Sequence, residues 1–121
     1  MTPEDVLNQT ADLIDRQGHN QNGYCTFDDK GVPQLNGPLC IMGAMNLVVN
    51  GGRSIRHSTS PERAQLKGES RNMLMKQISI LTGFRERQPV RWNDEPGRTK
   101  EEVVNVLREA AKNYDDSKDC T

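Results

Sequence analysis

Aromatic residues are scarce in this chain: one tryptophan, two tyrosines and two phenylalanines make up 4% of 121 residues. Hydrophobic residues reach only 33%. These shortages exclude a large aromatic core. They point to a small aliphatic one, with methionine filling gaps, in a chain long enough for one modest domain. A basic excess is also lacking: 16 Lys and Arg face 17 Asp and Glu, for a net charge of −1. That balance argues against a general nucleic-acid binder. No apolar run approaches the ~20 residues that a membrane span needs. The first residues are polar and acidic, unlike a secretory signal, so a cytoplasmic protein is expected. Cysteines are few and odd in number (Cys25, Cys40 and Cys120), at no metal spacing, and only two histidines accompany them. Free thiols, no metal site and no cofactor are expected. The Asp28-Asp29 stretch is too short for an EF-hand.

What is present reads as mainly α: a bundle of about four helices with one small β-hairpin. Thr2-Pro3-Glu4-Asp5 is a helix start, with Thr as N-cap, Pro behind it and acids in the first turn. Val6, Leu7, Ala11, Leu13 and Ile14 form one apolar stripe and Gly18 closes it, so the first helix spans about 3–17. Residues 19–38 are polar and turn-rich. Tyr24 to Phe27 has strand character, Asp28 to Gly31 is a turn, and Val32 to Leu35 returns, giving a hairpin over about 24–35. Pro33 confines the return strand to an edge.

Pro38 opens a second helix that is apolar almost all round, from Leu39 to Val49, and should be the buried centre. Gly43-Ala44 gives it a small face for close backbone approach. Ser60-Pro61 starts a third helix ending at Gly83, with Leu66, Met73, Leu74, Ile78 and Leu81 as its stripe. Gly68 and Ser70 weaken its first half, so it could be two pieces. Residues 84–98 read as a loop and about 100–114 as the fourth helix. A single domain over 1–114 is expected, followed by a polar tail over 115–121.

The stretch from Arg91 to Glu102 is the densest in signals. Asn93 and Asp94 followed by Pro96-Gly97 is turn chemistry. Thr99 and Glu102 fit a capping box. Trp92 reads as a core plug with its indole N–H satisfied.

Two motifs carry a resemblance. Cys40-Ile41-Met42-Gly43-Ala44 resembles the C-x-x-G-A helix, and Trp92-Asn93-Asp94-x-Pro96-Gly97-Arg98-Thr99 the most recognisable motif, of an uncharacterised small-protein family of actinobacteria and their bacteriophages. The first helix and the Gly23-Tyr24 region are similar too. The family is a domain of unknown function, so the resemblance implies provenance and fold without an activity. This chain departs from the pattern in having Leu39 where members often carry Trp, and in being Asn- and Gln-rich rather than alanine-rich. The second departure points toward a phage version.

Three chemistries compete for these residues. Cys40, near a helix N-terminus, could be a thiolate nucleophile, with His57 or His19 as base and Asn93 or Asp94 as orienter, in a papain-like order. The simpler reading of Cys40, flanked by Leu39, Ile41 and Met42, is a buried small hydrophobe. Arg53, Arg56, Arg91 and Arg98 could form an anion pocket, Arg98 lying just before a helix N-terminus. The simpler reading pairs Arg98 with a neighbouring acid. The third class is interaction. A host protein or small anionic metabolite is the expected partner and a homodimer stays open, with Met73, Met75, Val49 and Phe84 as candidate contact residues. Binding is the favoured function and a cysteine hydrolase centred on Cys40 the alternative.

Overall fold

The computed structural model describes residues 1–83 and 88–119, with side chains on the last helix described to residue 113. Its order is α1 (Pro3–Gln17), β1 (Cys25–Phe27), β2 (Pro33–Leu39), α2 (Ile41–Val49), α3 (Pro61–Thr82), α4 (Pro89–Asn93) and α5 (Lys100–Asp119). The architecture is mainly α with a small antiparallel hairpin, as the sequence indicates.

The start of α1 is set by a reciprocal cap. Thr2 Oγ1 accepts from the Asp5 N–H at 3.1 Å, and an Asp5 carboxylate oxygen accepts from the Thr2 N–H at 2.9 Å. The α1 stripe of Val6, Leu7, Ala11 and Ile14 is fully buried, chiefly against α5, whose Val103, Val106, Leu107, Ala110 and Ala111 face it. Burying each Leu or Ile of this seam contributes roughly 1.5–3 kcal/mol before entropy is subtracted. Helix α2 runs through the middle and buries all of its residues except Val48, which is half-buried.

The hairpin is longer than the sequence suggests. Pro33 and Gln34 pair with Phe27 and Thr26, the chain then loops out over residues 35–38, and Leu39 returns to pair with Cys25. Gln17 closes this excursion by donating through Nε2 to the carbonyls of Leu35 (2.8 Å) and Gly37 (2.9 Å). Leu39 therefore belongs to β2 and not to the second helix. Its N–H donates to Gly18 O at 3.1 Å, and its carbonyl accepts from the Asn20 N–H at 2.9 Å. The helix starts two residues later than expected, capped by Cys40.

Helix α3 is one piece of 22 residues, not two. Ser70 is tolerated within it because its hydroxyl, buried, donates to Leu66 O at 2.7 Å. The helix closes at Gly83, whose φ of 74° is left-handed. Leu81 was expected in its apolar stripe but is 60% exposed, beside Ile80 at 63%. Of the expected contact residues, Val49 is buried, Met73 and Met75 are half-buried, and Phe84 lies outside the described residues.

Helix α4 was expected to be loop. Its five residues are too few to show a period, but Pro89 pre-sets its first turn. Helix α5 begins where expected, with Glu102 N donating to Thr99 Oγ1 at 3.2 Å and Thr99 N to Glu102 Oε1 at 3.1 Å. It continues through Asp119, into the stretch read as tail.

Candidate functional site

Three chain segments meet where α4 ends: the turn after α1, the start of α2 and the Trp92 stretch. Asn93 is the junction. It is fully buried and every hydrogen-bonding position of its side chain is used. Oδ1 accepts from the Ile41 N–H at 2.9 Å and from His19 Nε2 at 2.9 Å. Nδ2 donates to Asn20 O at 3.0 Å and to Asp94 Oδ1 at 2.9 Å. Gln21 Nε2 donates to the carbonyls of Asn93 (3.1 Å) and Glu95 (2.7 Å). Asp94 Oδ1 also accepts from the N–H of Asn22 at 2.8 Å. Asn22 holds a left-handed φ of 65°, which asparagine tolerates better than most residues.

This network fixes the histidine. An amide oxygen has no proton to give, so the His19 nitrogen facing Asn93 is the one bearing hydrogen. His57 lies elsewhere, exposed, with Nδ1 against the Lys67 ammonium on α3. The histidine that the fold brings to Asn93 is thus His19, the second of the two bases named from sequence.

Cys40 is the N-cap of α2 and is 2% exposed. Its Sγ accepts from the Gly43 N–H at 3.2 Å, the role usually filled by Ser, Thr, Asp or Asn. Burial pushes the thiol pKa up to about 11, with the Asp94 charge adding to the rise. The backbone donors of Gly43 and Met42 pull the other way without reversing it. At neutral pH the thiol is protonated, and a thiol is a poor nucleophile. Gly43 matters for a second reason. A Cβ there would sit 2.5 Å from Tyr24 O, so the small face of α2 is where the Tyr24 backbone approaches.

Trp92 has no exposed surface. Its indole N–H, expected to be satisfied, has no acceptor among the described residues. Its polar company is Arg98 instead. The guanidinium lies over the ring, Nη1 donates to Glu102 Oε2 at 2.8 Å and Nη2 to Glu95 Oε2 at 2.9 Å. Arg98 has thereby taken the neighbouring acids as partners. Arg53 and Arg91 are exposed, and no hydrogen bond or ion pair joins either to Arg98 among the described residues. Asp94 and Gly97, with φ 84°, make the turn, and Thr99 with Glu102 caps α5.

The family model of a family of unknown function, DUF6197, matches residues 1–113. The chain belongs to that family. No curated protein and no solved structure matches it. The span matched to DUF6197 contains the whole junction: His19 to Asn22, Cys40 to Gly43, and Trp92 to Glu102. Sequence reasoning missed Gln21 and Asn22 as parts of it. Their partners lie more than 70 residues away in the chain, as with Gln21 and Glu95 at a separation of 74, and no local pattern announces them. Among the described residues no three His, Cys, Asp or Glu side chains group as metal ligands would. A surface groove of about 740 Å³ lies away from the junction, between Leu13 and Arg16 of α1, Leu35 of the hairpin, and Leu47 and Val48 of α2. No helix of the described residues is long and apolar enough to cross a membrane.

Proposed function

We propose that this protein acts by binding a partner through its surface, and that the Trp92 junction is the latch that makes the surface rigid. One observation carries the reading. The groups that could have done chemistry are spent internally: Cys40 is occluded and protonated, and Asn93 has no bonding capacity left. The resemblance to small proteins of actinobacteria and their bacteriophages supports an accessory role in a host cytoplasm. A host protein fits this role, as does a small anionic metabolite. Of Arg53, Arg56, Arg91 and Arg98, the first three are exposed and left for an anion, since Arg98 is engaged by Glu95 and Glu102.

The second reading, a papain-like cysteine hydrolase, has its own observation. His19 Nε2 is bonded to an asparagine oxygen, and that oxygen also accepts from the N–H of the residue after Cys40. A histidine–asparagine pair thus sits beside the helix start that Cys40 caps. Against it stand the burial of the thiol and its raised pKa. A thiol titration on the C25S/C120S protein separates the two. Binding predicts that Cys40 reacts with a disulfide reagent only after denaturant is added. Alkylation of the native protein at the rate of a free, low-pKa thiol would overturn the observation that carries the binding reading and favour the hydrolase.

A further inference from the structure

The first half of α3 is built unlike the rest of the molecule. None of its residues from 61 to 69 is fully buried; the first is Ser70. Only Leu66 in this segment packs against the core as a partly buried hydrophobe. The overhang is also divided by charge. Glu62 and Glu69 lie to one side, with Gln65 donating to Glu69 Oε1 at 3.1 Å. Arg63, Lys67 and Arg71 recur at four-residue spacing and share another side, a row about 12 Å long at 1.5 Å rise per residue. Like charges at this spacing oppose helix formation, so their spacing adds nothing to the stability of the helix itself.

Among the described residues no carboxylate pairs with Arg56, Arg63, Lys67 or Arg71, whereas Arg98 has two such partners and Lys100 and Arg108 one each. Arg71 is held by neutral partners, Met75 Sδ and Gln88 Oε1. Lys67 contacts the ring of His57, which brings the loop carrying Arg56 against the row. Burial and, after it, the neighbouring Arg71 charge hold the Lys67 ammonium below its ordinary pKa.

We propose that the Arg63–Lys67–Arg71 row, with Arg56 and His57 beside it, docks an acidic segment of a partner protein. The proposal rests on the binding reading above and names its surface and its partner's chemistry. The row is too long for one small anion to reach all three charges. A nucleic-acid strand fits less well than a peptide. The cationic row is narrow, Glu62 and Glu69 lie on another side of the same helix, residues 61–70 include no Phe, Tyr or Trp on which a base could stack, and the whole chain is net −1.

The test is an NMR titration of the ¹⁵N-labelled full chain with a short all-glutamate peptide, and in parallel with a single-stranded oligonucleotide of similar charge. The peptide should shift amides between residues 56 and 71 in a saturable, salt-sensitive way. The R63E/K67E variant should bind at least about tenfold more weakly, because like charges then face each other. The milder R63Q should fall in between, and E62Q/E69Q should bind more tightly. Amide dispersion shows directly that each variant is folded. Absence of peptide shifts, or shifts centred elsewhere, overturns the proposal. Tighter binding of the oligonucleotide to the same amides overturns the choice of a protein partner. If the peptide fails while native Cys40 stays unreactive, this surface is withdrawn and the binding reading stands.

Discussion

The guanidinium of Arg98 lies over the Trp92 indole, 3.9 Å from Cζ to the ring centroid, while its Nε donates to the Trp92 carbonyl at 2.9 Å. One side chain thus covers a buried ring and satisfies that residue's backbone. Its ion pairs with Glu95 and Glu102 are the lesser part, because those acids are 35% and 46% exposed and surface pairs contribute at most about 1 kcal/mol. The Arg98 side chain itself is only 12% exposed. Arg98→Ala should therefore cost about 2–3 kcal/mol, through an uncovered ring and the loss of one donor to the Trp92 carbonyl. That carbonyl then keeps only the long Glu95 N–H bond of 3.4 Å and the cap N–H of Asp94. Arg98→Lys should cost about 1–2 kcal/mol, since an ammonium cannot reproduce the fork. Urea unfolding followed by the single tryptophan's fluorescence measures both. A loss below about 0.5 kcal/mol for the alanine variant would sink the latch.

Asn93→Ala should cost about 2–4 kcal/mol, because it strands the buried Ile41 N–H and removes a donor from the part-buried Asn20 carbonyl. Asn93→Asp keeps the two acceptor contacts but turns an oxygen toward Asn20 O and Asp94. Those neighbours and burial raise the new carboxyl's folded pKa, so the folded state binds the proton more tightly. The N93D deficit should shrink as pH falls and the carboxyl regains a donor. A deficit that grows on acidification relative to wild type would contradict the assigned hydrogen bonds.

Gly43 and Gly68 are both helical glycines, and alanine should affect them in opposite directions. At Gly43 the new Cβ meets Tyr24 O at 2.5 Å and Tyr24 Cα at 3.0 Å, backbone that cannot rotate away. Gly43→Ala should cost about 3 kcal/mol. At Gly68 nothing lies within 4 Å, so Gly68→Ala should stabilise by about 0.5–1 kcal/mol through helix propensity. Thermal melts of the two variants, compared with wild type, check the sign of each.

Glu102 titrates below the ordinary carboxylate range, first because the Thr99 N–H donates to it and next because of Arg98. A folded pKa lower than the unfolded one gives stability that is present above the unfolded value. It is lost as pH falls through the folded value. The stability gap between wild type and E102Q should be open at pH 7 and closed in strong acid. Urea midpoints at both ends measure it, and a gap independent of pH would show that the charge on Glu102 plays no part.

Much of the fold was legible because its signals are local. Thr2 with Asp5, Ser60 with Pro61, and Thr99 with Glu102 each announce a helix start within four residues. The stripes of α1 and α5 then state which face is buried. The Leu81 error has the same origin in reverse. Spacing placed it with Ile78, but the end of α3 projects past its neighbours and leaves Ile80 and Leu81 in solvent.

The candidate site was half legible. Cys40, Asn93, Asp94 and Arg98 could be named from sequence, but not what they do. By itself the sequence determined the starts of α1, α3 and α5 with their caps, the small aliphatic core and the turn after Trp92, since each is decided by residues a few positions apart. Only the tertiary structure decided that Asn93 binds His19 rather than His57, across 74 residues. It also decided that Leu39 extends a strand before Cys40 caps a helix, and that burial outweighs the helix N-terminus at the Cys40 thiol. The physical reason is common to all three. Each depends on desolvation and hydrogen bonds that come into being only when α1, α2 and α4 close on one another.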